Sequence, residues 1–146
     1  MSPAKKKDAK VTWGSGTEAD PWILKTPPQT SEFQAWRDEA SKPPRLVVQV
    51  GTTQLSYQLR ALEDAVAMLK KHGDWVALGN ADEGKPTAPD SLEGWARSPK
   101  NPVGGYYGLR KGYRGRFAMY VPPLLELLGK VEREHGARNN RVRAVR

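Results

Sequence analysis

Two short clusters of basic residues are the side chains best placed to do chemistry in this sequence. That chemistry is the binding of polyanions. Arg110, Lys111, Arg114 and Arg116 stand in a glycine-rich run, and Arg138, Arg141 and Arg143 surround the sequence Gly136-Ala137-Arg138-Asn139-Asn140. From Arg110 to Arg146 there are ten Lys or Arg and three Glu, which accounts for +7 of the chain's net +8. Residues 1–10 add four Lys against one Asp, and the segment between the two ends is slightly acidic. Charge concentrated in this way attracts nucleic acid, because each phosphate that is neutralised releases condensed counterions. Arginine is also the usual reader of guanine, and an arginine on a hairpin can enter a minor groove or bind phosphate. Lys85 and Lys100 would extend the same footprint.

Other chemistries find less support. The run Gly104-Gly105-Tyr106-Tyr107-Gly108 before the first cluster could let backbone N–H groups approach a phosphate. It lacks the Lys-Ser/Thr of a P-loop and the spacing of a dinucleotide-binding turn. Tyr106, Tyr107 and Tyr113 interleave with the basic residues, as stacking on unpaired RNA bases would require. Loop or core packing explains them equally well, and Trp13, Trp22 and Trp36 read as core aromatics. No serine lies in a nucleophile elbow, and no base is placed beside one. There are no cysteines and only two histidines, His72 and His135, so no metal, cofactor or catalytic residue is expected. The expected protein is not an enzyme.

The elements that must position the basic residues follow from periodicity. Residues 45–50 and 54–59 are two strand-like runs around Gly51-Thr52-Thr53, and they predict a β-hairpin. Phe33 and Trp36, three apart, predict a short helix over 32–40 after a cap at Thr30 or Ser31. Leu62, Ala65, Val66 and Leu69 predict a helix over 61–72 that ends at Gly73. A strand at 75–78 and a second helix at 91–97, capped by Asp90 or Ser91, come next. The apolar spacing of Phe117, Tyr120, Val121, Leu124, Leu125 and Leu128 predicts a helix over 113–128, split by Pro122-Pro123. Strands at 130–134 and 141–145 flank the basic turn.

The apolar content, 38% with five Trp, is enough for a core, so this is not a disordered polycation. No apolar run approaches the roughly 20 residues of a membrane span, and no signal-peptide pattern opens the chain. The expected partner is therefore not a membrane, and the expected location is the cytoplasm.

The blocks GTEADPWILKTP, HGDWVALGNADE and WARSPKNPVGGYYGLRKGYRGRFAMYVPPLLELLG, followed by RNNRVRA, resemble a family of small bacterial proteins that is uncharacterised. The resemblance covers most of residues 13–145 and implies no activity, ligand or catalytic residue. Separately, FAMYVPPLLELLGKVERE with RVRAV resembles the end of winged helix-turn-helix domains, in which a helix reads DNA and the following hairpin is the wing. The double proline departs from the usual pattern of that reading helix.

The expected fold class is α+β. Residues 1–12 form a disordered basic tail, 13–60 an N-terminal α/β unit with a β-hairpin, and 61–146 a winged-helix-like domain. The expected function is noncatalytic binding of double-stranded DNA through Arg110, Lys111, Arg114, Arg116, Arg138, Arg141 and Arg143. The alternatives are a protein-interaction module of the same shape and a small nucleotide- or phosphate-binding enzyme. A homodimer through the N-terminal hairpin is a further expectation, because a two-stranded unit is not stable alone.

Overall fold

The computed structural model describes residues 14–26, 31–79, 85–108, 116–136 and 138–145. The fold is α+β. Four strands, β1 (Trp22–Lys25), β2 (Glu32–Asp38), β3 (Arg45–Val50) and β4 (Thr53–Gln58), form an antiparallel meander in that order. Helix α1 (Ala61–His72), strand β5 (Val76–Ala77), helices α2 (Leu92–Arg97) and α3 (Phe117–Leu127), and strands β6 (Val131–Arg133) and β7 (Arg141–Ala144) complete the chain. The last three strands form a second antiparallel sheet in the order β5-β7-β6.

Alternation sets the register of the larger sheet. Leu46 lies opposite Tyr57 and Val48 opposite Leu55. Leu24 faces Phe33 and Trp22 faces Ala35. All eight side chains are buried on the face that meets the helices. The same hydrophobic cluster takes in Ala65 and Leu69 of α1, Leu92 of α2, Phe117 to Leu125 of α3, and Val76, Val131 and Val142 of the smaller sheet.

The segment expected as a helix over 32–40 is strand β2. A spacing of three puts Phe33 and Trp36 on one side of a helix but on opposite sides of a strand. Both are buried, Phe33 toward the helices and Trp36 on the far face beside its cross-strand partner Val47. Strands on both flanks then satisfy the backbone of the segment.

Helix α1 runs as its apolar spacing predicts. Gly73 terminates it in the left-handed region at φ 81°, donating its N–H to Leu69. Glu63 and Asp64 lead and Lys70, Lys71 and His72 trail, as the helix dipole favours. Helix α2 is capped by Ser91, whose hydroxyl accepts from the N–H of Gly94 at 3.0 Å. Gly94 is also where the preceding loop crosses the helix, and a Cβ there would lie 2.2 Å from the carbonyl oxygen of Ala88. In an exposed helix Gly→Ala adds stability. Here Gly94→Ala is expected to cost roughly 1–3 kcal/mol by overpacking, measured by urea denaturation. An unchanged midpoint would show that the loop can move aside.

Helix α3 is continuous from Phe117 to Leu127 and is not split at Pro122-Pro123. The prolines forfeit hydrogen bonds to the carbonyls of Ala118 and Met119. Both rings are buried, and the packing around them holds the helix together. Eight of its eleven residues are buried, and Met119, Glu126 and Leu127 are half-buried. Phe33 meets Tyr120 edge-on at 5.0 Å, and Phe117 packs on Tyr57 and Tyr107 at 5.8 and 5.4 Å.

Candidate nucleic-acid interface

Strands β6 and β7 form a hairpin that carries three of the predicted residues. Its turn is held by Asn140, whose side chain accepts from the N–H of Gly136 at 2.7 Å and donates to the Gly136 carbonyl at 2.9 Å. Asn139 takes the left-handed conformation that the turn needs, at φ 58°. Arg138 is exposed at the tip and has no ion-pair partner among the described residues. Along β7, Val142 points into the core, so Arg141 and Arg143 point outward together.

Both outward arginines have company. The Arg141 guanidinium forms a two-pronged contact with Glu134 at 2.6 and 3.1 Å, and Arg143 meets Glu132 at 2.7 Å. The Arg141 guanidinium beside Glu134 holds that carboxyl below its ordinary range. Both arginines also lie over the ring of Trp75, at 5.2 and 4.4 Å from its centre. Trp75 precedes β5, which pairs with β7, so the ladder brings it there. This outer face is thus an arginine pair braced by an aromatic ring, its charge offset by Glu132 of β6 and by Glu134 just after it.

Of the other cluster, Arg110, Lys111 and Arg114 lie outside the described residues, as do Trp13 and Tyr113. Arg116 immediately precedes α3 and has φ 73°, a left-handed conformation uncommon for any residue but glycine. Its Nη1 donates to the Tyr120 hydroxyl at 3.4 Å. Helix α3 carries no basic residue and is enclosed by the larger sheet and α2, so the hairpin and the helix's N-terminal end are its accessible basic neighbours. Lys85 and Lys100 are exposed.

The glycine-rich loop is occupied by its own side chains. Asn101 accepts from the N–H groups of Val103 and Gly105 and donates to the carbonyls of Trp95, Ala96 and Gly105. Those amides are therefore not turned toward a phosphate. Tyr107 is buried, with its hydroxyl donating to Asp64 at 3.1 Å, and burial pushes its phenol up from its ordinary value. Tyr106 packs edge-on against Tyr57 at 6.2 Å. Trp22 is core, with the Arg37 guanidinium over its ring at 5.2 Å.

One charged residue in this region went unnoticed in the sequence. Glu93 of α2 is fully buried, and its carboxylate accepts from the N–H of Ala118 at 2.9 Å. It thereby caps α3 from a neighbouring helix, since Arg116 offers no side-chain cap. Arg97, one turn on, pairs with it at 3.2 Å. The Glu-x-x-x-Arg spacing was the only available signal, and it says nothing about α3. Burial outweighs these partners and pushes the Glu93 carboxyl up to about 7.

Among the described residues, no group of three or more His, Cys, Asp or Glu could hold a metal ion, and no helix is long and apolar enough to cross a membrane. No curated protein and no solved structure matches the chain significantly. A family of unknown function, DUF6855, does match, over residues 14–145, and the chain therefore belongs to that family.

Proposed function

We propose that the protein binds nucleic acid without catalysis, that its ligand is double-stranded DNA, and that the β6–β7 hairpin makes the principal contact. The order α1, β5, α2, α3, β6, β7 with sheet order β5-β7-β6 supports a winged-helix-like reading. The observation that carries the reading is the display of Arg141 and Arg143 on one outward face, with Arg138 at the tip of the same hairpin. In this reading α3 supports the hairpin and does not itself lie in a groove. Arg116, at its N-terminal end, joins the contact together with Arg110, Lys111 and Arg114. Such a protein would work in the cytoplasm, alongside its DNA.

The test is fluorescence anisotropy of a labelled mixed-sequence duplex across a salt series, with single-stranded RNA in parallel. Binding is expected to be tighter to the duplex. The slope of log affinity against log salt would be about −3 if the three hairpin arginines alone engage phosphate, and roughly −6 if all seven residues do. No binding at low salt sinks the reading.

A protein-interaction role is the second reading, and one feature favours it. An open apolar cleft of about 420 Å³ lies between α1 and the end of α3, walled by Leu62, Val66, Leu125 and Leu128. Lys70 and Lys130 stand at its margin. This reading predicts duplex binding that is weak at every salt concentration.

A further inference from the structure

A second cleft lies on the other side of α3, where edge strand β1 meets the α3–β6 junction. It has a volume of about 350 Å³, within the range of small-molecule sites. One wall is apolar, made by Ile23, Pro123 and Leu127, and the other end holds Lys25, Glu126, Arg133 and His135.

Arg133 is the unusual member. Its side chain is only 3% exposed, yet its Nε and Nη1 have no hydrogen-bond partner among the described residues. Glu126 Oε1 sits 3.1 Å from Nε, an ion-pair distance without hydrogen-bond alignment. The other oxygen of Glu126 is taken by His135 Nε2 at 2.6 Å. Nε at least has the Glu126 carboxylate beside it, whereas Nη1 has no hydrogen bond among the described residues, and leaving such a donor unpaired in a buried place is costly. Lys25 adds a second positive charge at the mouth. Its cross-strand neighbour Glu32 does not line the cleft. Arg133 and Lys25 outnumber Glu126, the one carboxylate that lines the cleft.

We propose that this cleft binds a small organic carboxylate with an apolar body. The body lies against Ile23, Pro123 and Leu127, and the carboxylate pairs with Lys25 and with the unbonded Nη1 of Arg133. Nη1 is itself buried, so a small rotation of the guanidinium would accompany binding. A carboxylate with an apolar body suits both the basic end and the apolar wall, whereas inorganic phosphate would leave that wall bare. The site is independent of the nucleic-acid reading, because none of its residues belongs to the outward face of β7.

The experiment is an NMR titration of the full chain with hexanoate, with 1-hexanol and inorganic phosphate as parallel probes. Hexanoate is expected to saturate with shifts at Ile23, Leu127 and His135, and to bind at least tenfold more tightly than either of the others. Lys25→Ala, at an exposed position, is expected to weaken hexanoate by roughly three- to fivefold, and Arg133→Met by roughly ten- to a hundredfold. If Arg133→Met fails to fold, Lys25→Ala and the hexanol comparison decide. Equal affinity for hexanol and hexanoate overturns the proposal, since the cleft would then be merely apolar. So does phosphate binding as tight as hexanoate. The absence of saturable shifts up to tens of millimolar overturns it too, with an ordered water left to satisfy Arg133.

Discussion

Glu93→Ala is expected to destabilise the protein by about 2–5 kcal/mol, the range for truncating a large side chain in a packed interior. The substitution strips the cap from the Ala118 N–H, leaves Arg97 without its carboxylate and opens a void between α2 and α3. The same residue gives a pH signature. Its carboxyl sits near 7 in the folded chain against an ordinary 4.5. Between those values the folded state holds a proton that the unfolded state has released. Stability therefore falls as pH rises through this window and levels off above it. The total is on the order of 3 kcal/mol, at about 1.4 kcal/mol per pH unit. Glu93→Gln keeps an acceptor for Ala118 and cannot ionise, so its stability should be flatter from pH 5 to pH 8. Guanidinium denaturation of both proteins at several pH values isolates the effect as a difference. Parallel pH profiles would show that Glu93 is not the group that titrates.

The second large effect concerns binding. Replacing Arg138, Arg141 and Arg143 together by Ala is expected to weaken duplex DNA on the order of a hundredfold at low salt. The salt slope should become shallower by about 2.7, the loss of three phosphate contacts. The opposite substitution is more telling. Glu132 and Glu134 offset the two arginines of the outer face. Glu132→Gln with Glu134→Gln should tighten duplex binding several-fold, with little change in stability, because exposed ion pairs contribute little. Anisotropy and thermal melts on the same samples separate the two. Unchanged affinity in the triple arginine variant removes the hairpin as the contact.

Much of the architecture was legible because local patterns and tertiary packing agree. Gly73 ends α1 where the apolar spacing stops, Ser91 caps α2, and the runs around Gly51 pair as a hairpin. Segment 32–38 was not legible, because Trp36 is buried on the otherwise exposed far face and breaks the alternation begun by Phe33 and Ala35, so that Phe33 and Trp36 imitate a helical spacing. The burial of α3 had a signal that was open to a different reading. FAMYVPPLLEL is apolar on every side, and such a helix belongs in a core and not in a DNA groove. At the candidate interface, residue types predicted the outward arginines of β7. They could not predict Trp75 beneath them, which arrives through a long-range strand pairing, or that Glu132 and Glu134 would sit directly on those charges. The cleft at Arg133 was equally hidden, since it joins β1 to β6 across most of the chain.

The central position of α3 bears on the order in which the chain can fold during synthesis. The four-stranded meander is complete by Gln58, but the helix that covers its apolar face begins only at Phe117. At roughly 5–20 residues per second, the ribosome leaves that face without its cover for several seconds. A nascent chain in this interval carries a flat apolar surface and an exposed edge at β1, the combination that invites pairing with another chain. The glutamines at 34, 49, 54 and 58 alternate with the core residues and keep the other side of the meander polar around Trp36 and Val47.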